Sequence, residues 1–270
     1  MVGCGLRAEV GRGEGTALAS SLLGALEGLP GALVAATLLS AVAWRVGALS
    51  SDGAVAGAAV GFAVILTGGW SWAGLLLAFV VAGSLASRLP PAAGPPRRTT
   101  RQVLANGTVA ALAALAHPAA WAAPGFAGAV AAAWADTWSS EFGTRYGGPP
   151  RRVVGLQPVD PGTSGGVTAL GSAAGVAAAA LCGLLAAAFG IAPVPSTAAA
   201  GVLGALADSL LGATVQAAFR CTRCGRRGET PRCACGARGE LERGLRWLDN
   251  DAVNLLATAV GALAAVALHR

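Results

Sequence analysis

The chain has 270 residues, 54% of them hydrophobic and only 12% charged, with 40 glycines and a net charge of +6. Soluble domains carry about 25% charged residues, so this share excludes an ordinary water-soluble globule, which would lack the polar surface to cover its core. The basic residues number 19 and all are arginine. They gather in a few stretches between apolar runs, so the positive charge is a membrane-topology signal and no nucleic-acid partner is needed to explain it.

In chain order, residues 1–28 form an N-terminal lead-in without a cleavable signal pattern, and Leu18–Leu26 is too short to cross a bilayer. Residues 29–270 form the membrane domain. Its uncharged runs are Gly28–Trp44, Gly53–Ser87, Gln102–Ala135, Pro161–Ala207 and Ala252–Leu268. A crossing helix needs about 20 apolar residues, and the longest runs suit helical hairpins. The predicted spans are 29–47, 54–68, 70–87, 102–117, 120–136, 166–190, 197–215 and 251–268. "TGGW" (Thr67–Trp70) supplies a tight turn between the second and third. The fold class is therefore all-α, a polytopic integral membrane bundle of seven or eight transmembrane helices. Arg45, Arg88, Arg97, Arg98, Arg101, Arg145, Arg151 and Arg152, and eight more arginines between Arg220 and Arg246, fall on one side of that arrangement; Arg7, Arg12 and Arg270 fall on the other. The positive-inside rule places the arginine-rich loops in the cytoplasm of a multi-pass cell-membrane protein.

The polar motifs collect on the same side: "LSSDG" (Leu49–Gly53), "RRTTRQVLANG" (Arg97–Gly107), "ADTWSSEFGTRYG" (Ala135–Gly147), "VDPGTSGG" (Val159–Gly166), "ADSLLGATVQ" (Ala207–Gln216) and "RWLDNDAVN" (Arg246–Asn254). Residues three or four apart share a helix face. Asp136 thus aligns with Ser139 and Ser140, Glu141 falls with Thr137 on another face, and Gln102 lies one turn from Asn106. Carboxylates at membrane depth are costly and face a cavity, a partner charge or a metal. Asp52 and Asp249 read as turn or N-cap residues. For Asp136 and Asp208, both in "AD[TS]" near helix ends, a structural pairing with Arg is the rival reading. Thr163, Ser164, Gly165 and Gly166 at a helix start suit anion binding by backbone N–H groups. With Arg98, Arg101 and Arg145, these groups predict a site for phosphates and a divalent cation, the oxygen-ligand chemistry of Mg²⁺. The two histidines, His117 and His269, lie on the opposite side, so covalent hydrolase chemistry of the Ser-His-Asp type is not expected.

Four of the six cysteines form "CTRCGRRGETPRCAC", with Cys221, Cys224, Cys233 and Cys235 in a predicted cytoplasmic insert at 217–246. Disulfides are disfavoured there, and four thiolates predict a structural Zn²⁺ knuckle. A closed four-thiolate site leaves no position for substrate. The insert is therefore assigned a fold-organising role.

"RQVLANG", "ADTWSSEFG", "PGTSGG", "GATVQ" and "RWLDNDAVN", in this order from about Ala48 to the C-terminus, resemble the membrane family called domain of unknown function 92. That family includes eukaryotic transmembrane protein 19 and the plant and cyanobacterial phytyl-phosphate kinase. Some prokaryotic members carry a similar knuckle with a His-Cys pair where this chain has Cys233-Ala234-Cys235. "ADTWSSEFGTRYG" followed by "PGTSGG" also looks like the closing motif of membrane CTP-dependent enzymes, the phosphatidate cytidylyltransferases and the dolichol and phytol kinases, although their lysine is missing here. The resemblance implies a kinase that phosphorylates an isoprenyl monophosphate from a nucleoside triphosphate, CTP or ATP, with Mg²⁺. In that reading Asp136, Asp208 and Asp251 hold the metal, with Glu141 a further member. Arg98, Arg101 and Arg145 clamp phosphates above the Thr163–Gly166 turn, and Asn106, Gln216, Asn250 and Asn254 orient them. Two alternatives stay open: a secondary transporter or flippase with an intramembrane carboxylate ion site, and a cytidylyltransferase-like enzyme.

Overall fold

The computed structural model describes residues 28–90 and 97–269; the lead-in with Leu18–Leu26, Cys4, Arg7 and Arg12, and also Arg270, lie outside them. Seven helical elements occur among the described residues: α1 (Leu29–Arg45), α2 (Ser51–Ala86), α3 (Thr100–Leu115), α4 (Ala122–Tyr146), α5 (Ala169–Ala188), α6 (Val194–Thr214) and α7 (Asn250–Leu268). Of these, α2, α5, α6 and α7 are long and apolar enough to cross a membrane, and α1 is a shorter apolar helix of 17 residues.

The second element covers both of the expected spans 54–68 and 70–87. A straight helix of 36 residues would run about 54 Å, far beyond a hydrocarbon core of about 30 Å. Instead Gly69, with φ of 66° and ψ of −161°, breaks it. Only glycine adopts that conformation without strain, and the two limbs, 51–68 and 70–86, turn back on each other. Their far ends meet: Arg88 donates to the Val46 carbonyl, and Gly53 and Gly83 both face Arg98. The expected "TGGW" turn is thus present, inside one continuous element.

At the centre stands α4. From Pro124 to Ala135 every residue is buried, which marks a helix enclosed by protein on all sides. Small residues make this possible. A Cβ at Gly128 would sit 2.4 Å from the Gly261 carbonyl, and one at Gly261 would sit 2.6 Å from that of Gly128. On α6, Gly204 leaves room for Ala132, and on α5, Gly175 leaves room for Ser139. Without a hydrophobic force between helices in lipid, such close backbone approach supplies the packing. Aromatic rings seal the end opposite the arginines, where Trp72 stacks on Phe126 at 4.6 Å and meets His117 edge-on at 5.5 Å. Leu38, Val55, Leu85, Leu112, Leu184 and Leu263 point outward and exposed, as a lipid-facing surface requires.

The helix α4 runs ten residues past the predicted end at 136, through "DTWSSEFGTRY". The polar motif is therefore helical and not a loop. After it, β1 (Arg151–Arg152) pairs antiparallel with β2 (Gly166–Val167), and β3 (Ala218–Cys221), β4 (Arg227–Gly228) and β5 (Gly239–Arg243) form a three-stranded sheet, in the order β4-β3-β5, within the cysteine insert.

The Gly128–Gly261 contact yields a direct test. Gly128→Ala forces two backbones apart and should cost about 1–3 kcal/mol, read as a lower melting temperature in detergent. Gly148→Ala places its methyl in open space, so any loss there reflects its positive φ alone and should be smaller.

Candidate functional site

A cavity of about 440 Å³ opens at the arginine-rich end of the bundle, between α4, the 148–168 segment, α5, α6 and the insert. Helical phase decides what α4 contributes: Asp136, Ser139, Ser140 and Gly143 line the cavity, whereas Glu141 turns away. From α6 come Asp208 and Ser209, and from the end of the chain Asn250. Asp136 and Asp208 interact directly. Oδ2 of Asp208 exposes less than 1 Å² and has no hydrogen-bond partner among the described residues. Two facing carboxylates without a donor between them repel one another, and a proton or a metal ion relieves the repulsion.

The Thr163–Gly166 segment forms one wall. Gly162 and Gly165 have φ of 83° and 74°, and the Gly165 backbone lies so close to α6 that an added Cβ would sit 2.3 Å from the Ala213 nitrogen. This turn does not open the helix as expected. Gly166 already pairs in β2, and Thr168 caps α5 by accepting the Gly171 amide at 3.0 Å. The reason is the packing against α6, which pulls the glycines into a separate turn. Ser164 links inward and outward: Gln216, 1% exposed, donates Nε2 to its Oγ at 2.9 Å, and the Ser164 hydroxyl donates to Glu229 of the insert.

The arginine clamp is not assembled as the sequence reading expected. Arg145 spends its donors on structure, bonding the Leu89 and Ser87 carbonyls at 3.1 and 3.0 Å, and Glu141, whose other oxygen accepts from the Ser87 hydroxyl. Arg145 and Glu141 thus fasten the α2 hairpin to α4. Arg98 lies against Phe79 at 5.4 Å, its charge supported by Glu141 and Asp136 while burial lowers its pKa. It faces a second, apolar cavity of about 120 Å³ together with Asn106. Asn106 donates to the Gln102 carbonyl at 3.0 Å. Arg101 pairs with Asp249 and, at 3.2 Å, with Asp251. Asp251 is thus held in an ion pair outside the cavity lining, which two of the three expected aspartates reach and the third does not. Asp249 caps α7 through the Ala252 amide at 3.1 Å. The N-cap of α2 is Ser50 and not Asp52, which accepts the Thr100 amide at 3.1 Å instead. Asn254 is half-buried outside the lining.

Two residues escaped the sequence reading. Glu229 lies between the two cysteine pairs, and an acid that shares the arginine-rich insert with Glu240 and Glu242 gave no periodic signal. Arg152 is held in β1 opposite Gly166, and its Nε is buried without a partner among the described residues. Arg152 and Arg243 lie within electrostatic reach. Unlike Arg152, Arg243 is occupied, donating to the Ala213 and Gly212 carbonyls at the end of α6. A lone guanidinium in a short strand carries no periodicity either.

The four cysteine sulfurs lie within 4.8 Å of one another, with Cys221–Cys235 and Cys224–Cys233 both at 3.5 Å. Among the described residues this is the one such group of three or more metal-ligating side chains. Gly225 and Gly236, with φ of 69° and 83°, form the tight turns, where the Gly225 amide returns to Cys221 at 3.0 Å and that of Gly236 to Cys233 at 2.9 Å. Backbone hydrogen bonds from Cys224 and Arg223 pull the Cys221 thiol down to about 6, favouring the thiolate that binds metal. The cluster has the geometry to hold a metal ion such as zinc.

These features define an integral membrane protein of enclosed helical architecture, with a carboxylate-lined cavity on one face. The chain matches the family described as integral membrane protein DUF92 over residues 34–262 and belongs to it. It is 32% identical over 231 residues to the "Uncharacterized membrane protein MJ0933" of Methanocaldococcus jannaschii, covering 82% of this chain and 86% of that protein. To "Protein PGR" of Arabidopsis thaliana it is 35% identical over 135 residues, covering 45% of this chain and 46% of that protein. No solved structure matches it.

Arg145→Met should leave three backbone and side-chain acceptors unpaired and destabilise the bundle by about 3 kcal/mol, measured by thermal denaturation. Equal stability of the variant would contradict the structural role given to Arg145.

Proposed function

We propose that this protein is a Mg²⁺-dependent membrane phosphotransferase, transferring phosphate from a nucleoside triphosphate to an isoprenyl monophosphate at the cytoplasmic leaflet. The observation that carries the reading is the unpartnered Asp208 Oδ2 facing Asp136 at the base of a 440 Å³ cavity. Among the described residues the lining holds Asp136, Asp208 and Glu229 but no arginine. An anionic substrate would enter such a cavity only with a cation between it and the carboxylates. Asp136 and Asp208 fit that ion as hard oxygen ligands, and the ion would neutralise charge on the phosphoryl oxygens.

The cavity also suits an amphiphile. Val176 of α5 and Val202 and Leu206 of α6 belong to its wall and are exposed on the outer surface. A prenyl chain can leave between these helices into lipid while its phosphate stays beside the aspartates. Arg152, with its unused Nε next to the glycine turn, is the guanidinium best placed to meet a phosphate, and Ser139, Ser140 and Ser209 offer hydroxyl donors. In the reaction an oxygen of the acceptor phosphate attacks the γ-phosphorus. The bond to the β,γ-bridging oxygen breaks, and the nucleoside diphosphate leaves. The acceptor is already ionised near neutral pH, so no strong base is required and positioning dominates. With the arginine-rich loops in the cytoplasm, the cavity faces the nucleotide pool. The polar groups of the lining gather toward the arginine-bearing end, and its deepest members on α6, such as Val202, are apolar, which favours surface chemistry over a path across the membrane.

The test incubates purified protein in lipid nanodiscs with prenyl monophosphate, Mg²⁺ and labelled ATP or CTP. Labelled prenyl diphosphate is expected, with Asp136→Asn and Asp208→Asn lowering the rate by roughly 10²–10³-fold and Arg152→Gln raising KM for nucleotide. Absence of product with both nucleotides would refute the assignment.

A further inference from the structure

We propose that the second cavity, the apolar one that Arg98 and Asn106 face, binds one anionic phospholipid from the leaflet on the arginine-bearing side. Its phosphodiester would lie against the Arg98 guanidinium, with one chain running down between α1 and the second limb of α2. The site stands apart from the proposed transfer reaction, since the two cavities share no lining residue.

Three observations support it. First, Arg98 is a charge turned inward without a bonded partner. Its backbone is pinned to the α1–α2 link, the amide donating to the Ala48 carbonyl and the carbonyl accepting from the Ser50 amide, both at 3.1 Å. Gly83 leaves room for the guanidinium against α2, where an added Cβ would sit 2.8 Å from Nη2. There it meets the face of Phe79 but makes no hydrogen bond or ion pair among the described residues. Asp136 and Glu141 act on it from a distance, yet no carboxylate lines this cavity, and Glu141 is bound to Arg145 and Ser87. An arginine near a membrane surface can extend its head group to water; one held inward keeps its donors for an anion. Second, Ser40 of α1 lines the same cavity at 8% exposure, and its hydroxyl has no hydrogen-bond partner among the described residues. The helical hydroxyls of Thr37, Thr67 and Ser84 each return to the carbonyl four residues back. That of Ser40 does not, and it remains for a ligand oxygen. Third, the wall changes character with depth. Gln102 and Asn106 stand with Arg98 toward the arginine-bearing end, whereas Ile65 and Ala73 lie near the Gly69 turn. Leu39 and Leu77 belong to the wall and are yet 38% and 42% exposed, so the cavity opens sideways into lipid.

Charge and size fix the class of occupant. A phosphodiester carries one negative charge, which the single guanidinium of the lining balances. A phosphate monoester carries about 1.5 to 2 negative charges near neutral pH, and the surplus would be left in an apolar wall with no second cation to meet it. A volume of about 120 Å³ admits only the upper part of one chain. The rest of the lipid lies in the bilayer, reached through the gap between Leu39 and Leu77. A lipid seated there joins α1, α2 and α3 and gives Arg98 the counter-charge that its own cavity wall lacks.

The experiment equilibrates purified full-length protein with mixed micelles of phosphatidylglycerol and phosphatidylcholine bearing the same chains, and counts retained lipid by native mass spectrometry. The expected result is one phosphatidylglycerol per chain, preferred over phosphatidylcholine by roughly tenfold. Arg98→Gln should abolish the preference, and Arg98→Lys should keep part of it. Arg97→Gln removes an exposed neighbouring charge and should leave the preference intact. Ala43→Phe fills the cavity without altering charge and should lower retention of phosphatidylglycerol. Where Arg98→Gln fails to fold, the wild-type count and Ala43→Phe make the test. Equal retention of the two lipids by the wild-type protein, an undiminished preference in Arg98→Gln, or unchanged retention in Ala43→Phe would overturn the proposal. An equal loss in Arg97→Gln would also overturn it, assigning the preference to diffuse surface charge. Prenyl monophosphate offered together with phosphatidylglycerol should not displace it. Displacement would overturn the phospholipid assignment and make the cavity a seat for the acceptor.

Discussion

The contact on which the architecture depends is the mutual approach of α4 and α7 at Gly128 and Gly261, each facing the other's carbonyl with no side chain between. It allows a helix to be surrounded completely by others over the stretch from Pro124 to Ala135. A helix with no lipid contact can continue into polar sequence without exposing that sequence to hydrocarbon. This is how Asp136 and Ser139 come to lie in a cavity while remaining part of a membrane helix. Lipid-facing neighbours carry the large apolar side chains instead, so burial in protein and contact with lipid are divided between different helices.

That division separates two roles for charge at one membrane face. Arg145 and Glu141 join α4 to the α2 hairpin, and Arg243 caps the end of α6. These ions are consumed by structure. Asp136 and Asp208 face each other in the cavity, with Arg98 the opposite charge acting on Asp136 and Glu229 a further like charge acting on Asp208, so one arginine offsets part of the repulsion and leaves the rest. Arg98 lines another cavity while its charge acts on Asp136, and Arg152, in β1 opposite Gly166, keeps a buried donor unused.

Much of the fold was legible because hydropathy and charge act over whole segments. Seven of eight predicted spans coincide with helical segments to within a few residues, and the exception, 120–136, was too short because the polar "DTWSSEFGTRY" does not look helical without the cavity that receives it. Periodicity also separated Asp136 from Glu141, correctly placing them on different faces. What pattern could not supply was pairing. Arg101, Arg145 and Asp251 share the composition expected of a phosphate site, yet their partners are one another or Glu141 and Asp249, choices made by helix ends that meet in space. Glu229 shows the converse. Its loop position suggests solvent, and only the sheet that carries it turns it inward.

The central claim is that two helices force Asp136 and Asp208 into a confrontation that a divalent ion resolves. Thermal denaturation of the detergent-solubilised protein across a Mg²⁺ series tests it most directly. The account predicts that saturating Mg²⁺ raises the melting temperature of the wild-type protein. Asp208→Asn should melt higher than wild type without Mg²⁺, since one repelling charge is gone, and should lose the Mg²⁺ response. A wild-type protein indifferent to Mg²⁺, or an Asp208→Asn variant that responds just as strongly, would contradict it.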